Sequence, residues 1–290
     1  SRLWMPLNDL VYDSNSEKLY ASVPGRAGVR GNTLWMIEPT NGVVTGSLEV
    51  GHEPGSFAKS DDGQSLYITI NSNRSIRRVD LVSQTAGLQF ALGRDSFNRD
   101  YYVEDMVVLP GNPESIAVSR QVPSGTLSGF THEAVAIYDN GLPRQNTGKA
   151  PSHFYRDVIK FGSDASMIFA HNSGAVGFNR LLVNDDGVTF LDSDSALLGN
   201  FNTLKLEFAE AFLYSSGGHV VDPVVRVSVK KVPGITNSAA VLFDPPTRRM
   251  FYLEPAGANW RLLAFEADSL VPFGTMEVGG VSGTPSSLTR

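Results

Sequence analysis

The sequence predicts an all-β fold, a seven-bladed β-propeller of four-stranded antiparallel blades, with six blades as the alternative count. Three observations carry the prediction: helical periodicity is nearly absent, short β-favouring runs alternate with turn clusters, and the pattern repeats. Lys18 to Val23, Ser65 to Ile70, Ser115 to Val118 and Arg249 to Leu253 are such runs. Between the runs stand Asn41-Gly42, Asp61-Asp62-Gly63, Asn140-Gly141 and Asp186-Gly187, which supply the positive φ angles that tight hairpins need.

The repeat is plainest at the start. Leu10-Val11-Tyr12-Asp13 leads through a polar turn to Lys18-Leu19-Tyr20-Ala21, then to Leu34 through Pro39, a turn at Asn41-Gly42, and Gly46 to Val50 closing on Gly51. A second copy runs from Phe57-Ala58-Lys59-Ser60 through Leu66-Tyr67-Ile68 and Ile76 to Asp80, closing on Gly93. Further copies begin near Asp105, Asp157, Thr203 and Ser238, so units start near residues 8, 55, 105, 157, 203 and 238, a spacing of about 46 residues. Four short strands at this period bury their faces only by stacking between two neighbours around an axis, so residues 1–290 read as one propeller domain.

Thr284-Pro285-Ser286-Ser287-Leu288 opens like one more unit. Residues 284–290 and 1–7 are therefore expected to form a partial seventh blade, with Arg2 to Leu7 as its outer strand. Its missing strands would leave open edges. The chain is accordingly expected to be part of a longer, multidomain protein.

The stretch from Gly51 to Pro54, with Ser60-Asp61-Asp62-Gly63, Leu66-Tyr67-Ile68 and Val79-Asp80, resembles the YVTN repeat of quinoprotein- and lactonase-like propellers. The likeness is closest over the first two repeats and looser from Asp105 to Ser282. It implies a seven-bladed propeller of a secreted or cell-surface bacterial protein, with a non-catalytic recognition or scaffold role. Some propellers of similar size are lactonases or lyases acting at the channel mouth, and a hydrolase or lyase is the alternative that the resemblance implies.

Composition narrows the partners. A net charge of -6 argues against general binding to nucleic-acid phosphates, and zero cysteines exclude disulfides, Cys-ligated zinc and thiol nucleophiles. No apolar run is long enough to span a bilayer as a helix. The partner classes left are protein and carbohydrate.

Extra length falls mainly between the second and third strands of a unit, at Pro24 to Thr33, Gln121 to Glu133 and His171 to Phe178, joined by the connection Arg94 to Glu104. In a blade these segments share one face, and insertions on one face of a repeat protein commonly carry its binding surface. That face holds Arg26, Arg30, Arg94, Phe97, Arg99, Tyr101, Tyr102, Arg120, Phe130 and His132. Arginines beside aromatics suit a carboxylate, a sugar ring or a partner's loop; the alternative is that the loops simply pack on one another.

Aligning the starts of the inner strands brings Asp9, Asp105 and Asp157 into register, with Ser56 and Thr203 at related positions, around the channel mouth. Converging carboxylates suit a hard cation such as calcium, or a polar ligand. The competing reading is that each caps backbone amides at its own blade. An enzyme would draw on Asp105, Asp157, His132 and Arg156 as acid, base and anion holder, although no catalytic motif is present: no Gly-x-Ser-x-Gly elbow, P-loop or paired-histidine zinc motif occurs. Asp192 to Ser195 begins like a calcium loop, but Ala196 and Leu197 fill positions that need an oxygen ligand and glycine.

Overall fold

A computed structural model describes residues 6–124, 129–150, 157–172, 177–198, 204–235, 239–281, 283 and 285–290. The β-favouring runs form six four-stranded antiparallel sheets, each a meander of consecutive strands. Their inner strands are Asp9–Asp13, Phe57–Lys59, Tyr102–Leu109, Asp157–Phe161, Leu206–Ala209 and Ala240–Asp244. The outermost are Val44–Glu49, Thr85–Ala91, Leu142–Pro143, Gly187–Asp194, Val227–Lys231 and Pro272–Val278. Adjacent inner strands touch in chain order, as the blades of a propeller do.

Five apolar cores fill the junctions between consecutive blades. At the first, Tyr20, Leu34 and Met36 of blade one pack on Leu66, Ile68 and Val79 of blade two. Burying a side chain of this size is worth about 1.5–3 kcal/mol, so each junction outweighs the marginal stability of its isolated sheets. Polar staples run beside the cores. Tyr67 donates to the Pro113 carbonyl at 2.8 Å and Tyr138 to the Leu92 carbonyl at 2.8 Å, both between blades two and three. Arginines then reach forward, Arg144 to the Asn184 carbonyl at 2.7 Å and Arg180 to the Val224 carbonyl at 2.6 Å.

The count of seven blades is corrected to six. The phrase ending Ser286-Ser287-Leu288 carries the apolar-polar look of an inner strand, yet residues 285–290 form no strand. They lie as a strap between blade six and blade one, where Thr289 Oγ1 accepts the Tyr12 amide at 2.8 Å and Arg290 pairs with Asp244. Blade one's remaining face, with Trp35 and Ile37, is covered by its own Leu7, Leu10 and Ala27 rather than by blade six. Of the expected outer strand 1–7, residues 1–5 lie outside the described residues, and Pro6 and Leu7 are not in a strand.

Hairpin chemistry follows the sequence. Asn140 (φ 46°) and Gly141 (φ 82°) take the paired left-handed angles of a primed turn. Blade three has a two-residue outer strand, and the segment after it compensates: Gly148 bridges Val135, while Asn146 bridges Gly187 of blade four. Gly187 sits at φ 131°, and a Cβ there would lie 2.1 Å from the Asn146 carbonyl oxygen. Gly187→Ala is therefore expected to lower stability by about 2 kcal/mol or more, read as a reduced midpoint in urea unfolding. An unchanged midpoint would mean the bridge contributes nothing.

Candidate functional site

The axial channel is built first from strand register. Asp9 pairs with Ser22, Asp105 with Ser119 and Asp157 with Asn172. Ser56 bonds to the backbone of Thr69, and Lys205 exchanges backbone contacts with Ser216. Blades one to five thus each present one residue at the start of the inner strand opposite a small polar residue on the second strand, and in blade five that residue is Lys205. Thr203, the residue expected there, lies outside the described residues, as does Arg156. Asp157 is placed by its backbone alone.

The carboxylates act as latches between blades. Asp9 accepts the Leu10 amide at 2.8 Å and the Phe57 amide of blade two at 2.9 Å. Asp105 does the same with Met106 at 2.9 Å and Ile159 of blade four at 2.8 Å. At Glu207 of blade five the nearby Phe243 amide of blade six favours the charged carboxylate against burial. At Asp9 and Asp105 the expected caps therefore exist, but they reach across to the next blade as well as to the following amide of the same blade.

Strand alternation would turn Glu104 and Asp105 to opposite sides. The register shifts at this point, Ser119 opposing Asp105 while Arg120 opposes Val103, so Glu104 is the extra residue of a bulge. Both carboxylates then line a cavity of about 350 Å³, together with Asp9, Lys160, Lys205 and Glu207. Glu104 accepts from Ser119 Oγ at 2.8 Å and binds His132 Nδ1 at 2.8 Å. Burial pushes Asp105 up to about 6, against the amides of Ile159 and Met106 and the Lys160 charge. Burial also raises Asp9 and Glu207 and lowers Lys205, the last opposed by Asp9 and Asp105 and reinforced by Lys160. Among the described residues no group of three or more His, Asp or Glu side chains is arranged to hold a metal ion.

The second region is the face bearing the extra length. Pro24 to Thr33 contains a 3₁₀ helix, Gly25–Arg30, whereas much of Gln121 to Glu133 is not loop: strands Asn112–Pro123 and Phe130–Asp139 extend through it as a long hairpin. That extension buries two residues expected at the surface. Arg120 is 6% exposed, with its guanidinium 4.1 Å from the Tyr101 ring centroid and bonded to Tyr138 Oη at 3.3 Å. His132 is 1% exposed and belongs to the Glu104 cluster.

Other arginines are held within the face. Arg94 pairs with Asp100 at 2.6 Å, and Arg99 pairs with Asp95 at 2.6 Å while lying over Phe97. Arg26 bonds to Asn8 at 3.2 Å, and Arg30 lies over Trp35, both above blade one. Tyr102 meets Phe130 edge-on at 4.8 Å, under the guanidinium of Arg74. Beside them a polar groove of about 410 Å³ is lined by His52, Ser72, Arg74 and Asp100. Arg74 was not singled out by sequence because its turn is short; the turn's Asn71, Ser72 and Asn73 all take left-handed φ, a strained run that only the folded backbone reveals.

Asp105 gives the channel a pH signature. Its pKa is raised on folding, so its stabilising contribution is present below the unfolded carboxylate value and lost as pH rises through about 6. Asp105→Asn removes that titration, so wild-type stability should fall relative to the variant by a few kcal/mol, roughly 3, between about pH 4 and pH 6.5. Parallel thermal-midpoint profiles for the two proteins would refute this.

A scan against protein-family models and a search of curated proteins find no match for this sequence.

Proposed function

We propose that this propeller is a non-catalytic recognition or scaffold module that holds a protein or glycan partner on the face bearing the extended hairpin and the long connections. The observation that supports this most is the concentration on that face of exposed aromatic rings, Phe97 at 79% and Phe130 at 47%, beside the polar Arg74 groove. Rings offer large contact area at low entropic cost, and a guanidinium over a ring supplies charge and donors together. The repeat's resemblance to YVTN propellers supports an extracellular or cell-surface bacterial setting.

A lactonase-like hydrolase or lyase is less well supported. Asp9 and Asp105 each accept amides at both carboxylate oxygens, which leaves them little freedom for proton transfer to a substrate.

The test is binding to an oligosaccharide array and to a displayed peptide library. Phe97→Ala combined with Arg74→Ala should weaken any hit about tenfold or more, while Val82→Ser, in a turn on the opposite face, should not. Hits indifferent to the double variant, or no hit in either set, would refute the proposal.

A further inference from the structure

Hydrogen-bond accounting in the axial cavity leaves one charge uncommitted. Asp9 and Asp105 each hold two amides, and Glu104 holds Ser119 and His132. Lys160 stands 3.8 Å from Glu207. Lys205 is different. Its backbone is fixed by Ser216 at 2.9 Å, yet its ammonium makes no hydrogen bond or ion pair among the described residues. An ammonium carries three donors and no acceptor, so the unfilled valence of the cavity is a hydrogen-bond donor with positive charge.

From this we infer that the axial cavity binds a small organic anion, with Lys205 receiving its carboxylate. The strap adds Ser286 and Ser287 to the wall, bringing hydroxyl groups to the same cavity, while Val158, Leu206, Val241 and Leu288 give it an apolar side. Its volume of about 350 Å³ suits a ligand of one ring or a short chain. The fitting chemistry is therefore a monocarboxylate with an apolar body. The nearby carboxylates oppose anion binding only to the extent that they remain charged and unscreened by their amides. Asp105, raised to about 6, takes up a proton as pH falls toward that value, which removes a negative charge from the wall and strengthens binding.

Three probes of similar size separate the signs: benzoate, neutral benzamide and cationic benzylamine, titrated by calorimetry against the wild type, Lys205→Gln and Lys205→Arg. Benzoate is expected to bind with a Kd of about 1 mM or tighter, at least about tenfold better than either other probe, and better at pH 6 than at pH 8. Lys205→Gln should lose about tenfold for benzoate with an unchanged thermal midpoint, and Lys205→Arg should retain binding. Preference for benzylamine, benzoate binding indifferent to Lys205→Gln, or no binding by any probe would each overturn the inference. None of these outcomes bears on the partner face, whose variants lie at Phe97 and Arg74.

Discussion

Everything in this molecule follows from a sheet of four short strands having two apolar faces and, among the described residues, no α-helix to cover either. Neighbouring sheets cover most of these faces, and the cores at five junctions are the result. Stacking alone leaves the inner strands free to slide, because apolar contact has no direction. The carboxylates supply that direction. Asp9 and Asp105 belong to blades one and three, and each accepts an amide from the blade after it. These two latches fix inner strands in pairs, and the apolar cores with the tyrosine and arginine staples hold the other junctions.

The same latches explain why a channel lined by four carboxylates is not a simple anionic well. Taking a carboxylate out of water is costly unless donors replace the lost hydration, and here backbone amides, a serine and a histidine do so. Where replacement is incomplete the cost shows as a raised pKa, as at Asp105. The lysines respond to the same burial with the opposite sign. A channel built this way carries its charge in committed pairs, and the residue outside that scheme, Lys205, is the one available to something else.

Much of the fold was legible because it rests on local chemistry: Asn140-Gly141 reads directly as a primed turn, and the recurrence of Leu19-Tyr20 as Leu66-Tyr67 marks the second strand. What sequence misread depended on pairing. Ser286-Ser287-Leu288 looks like an inner strand, but a strand exists only where a ladder forms, and the strap bonds through a threonine side chain and a terminal ion pair instead. Gln121 to Glu133 reads as a loop insert because Pro, Ser, Gly and Thr crowd its middle, although in the fold Gln121 pairs with His132 across a long hairpin. Alignment selects Asp9 and Asp105, which line the cavity, but in blade five it selects Thr203 where the cavity has Lys205. Ser22, Thr69, Ser119, Asn172 and Ser216 on the facing strands fix the register and would have identified Lys205, since each opposes the axial residue of its blade.

The two regions of interest are not independent parts of the surface. Strand Tyr102–Leu109 carries Tyr102 in the aromatic pair with Phe130, and two and three residues later Glu104 and Asp105 at the axial cavity. A regular strand could not turn both of those carboxylates to the axis; the bulge at Glu104 does, and His132, on the strand that carries Phe130, holds Glu104 in place. The outer hairpin and the cavity wall are thus the same two strands. Straightening the bulge would move Glu104 away from the axis and shift Tyr102 by one register position, so the aromatic pair on the face and the charge pattern in the channel are fixed by a single backbone irregularity.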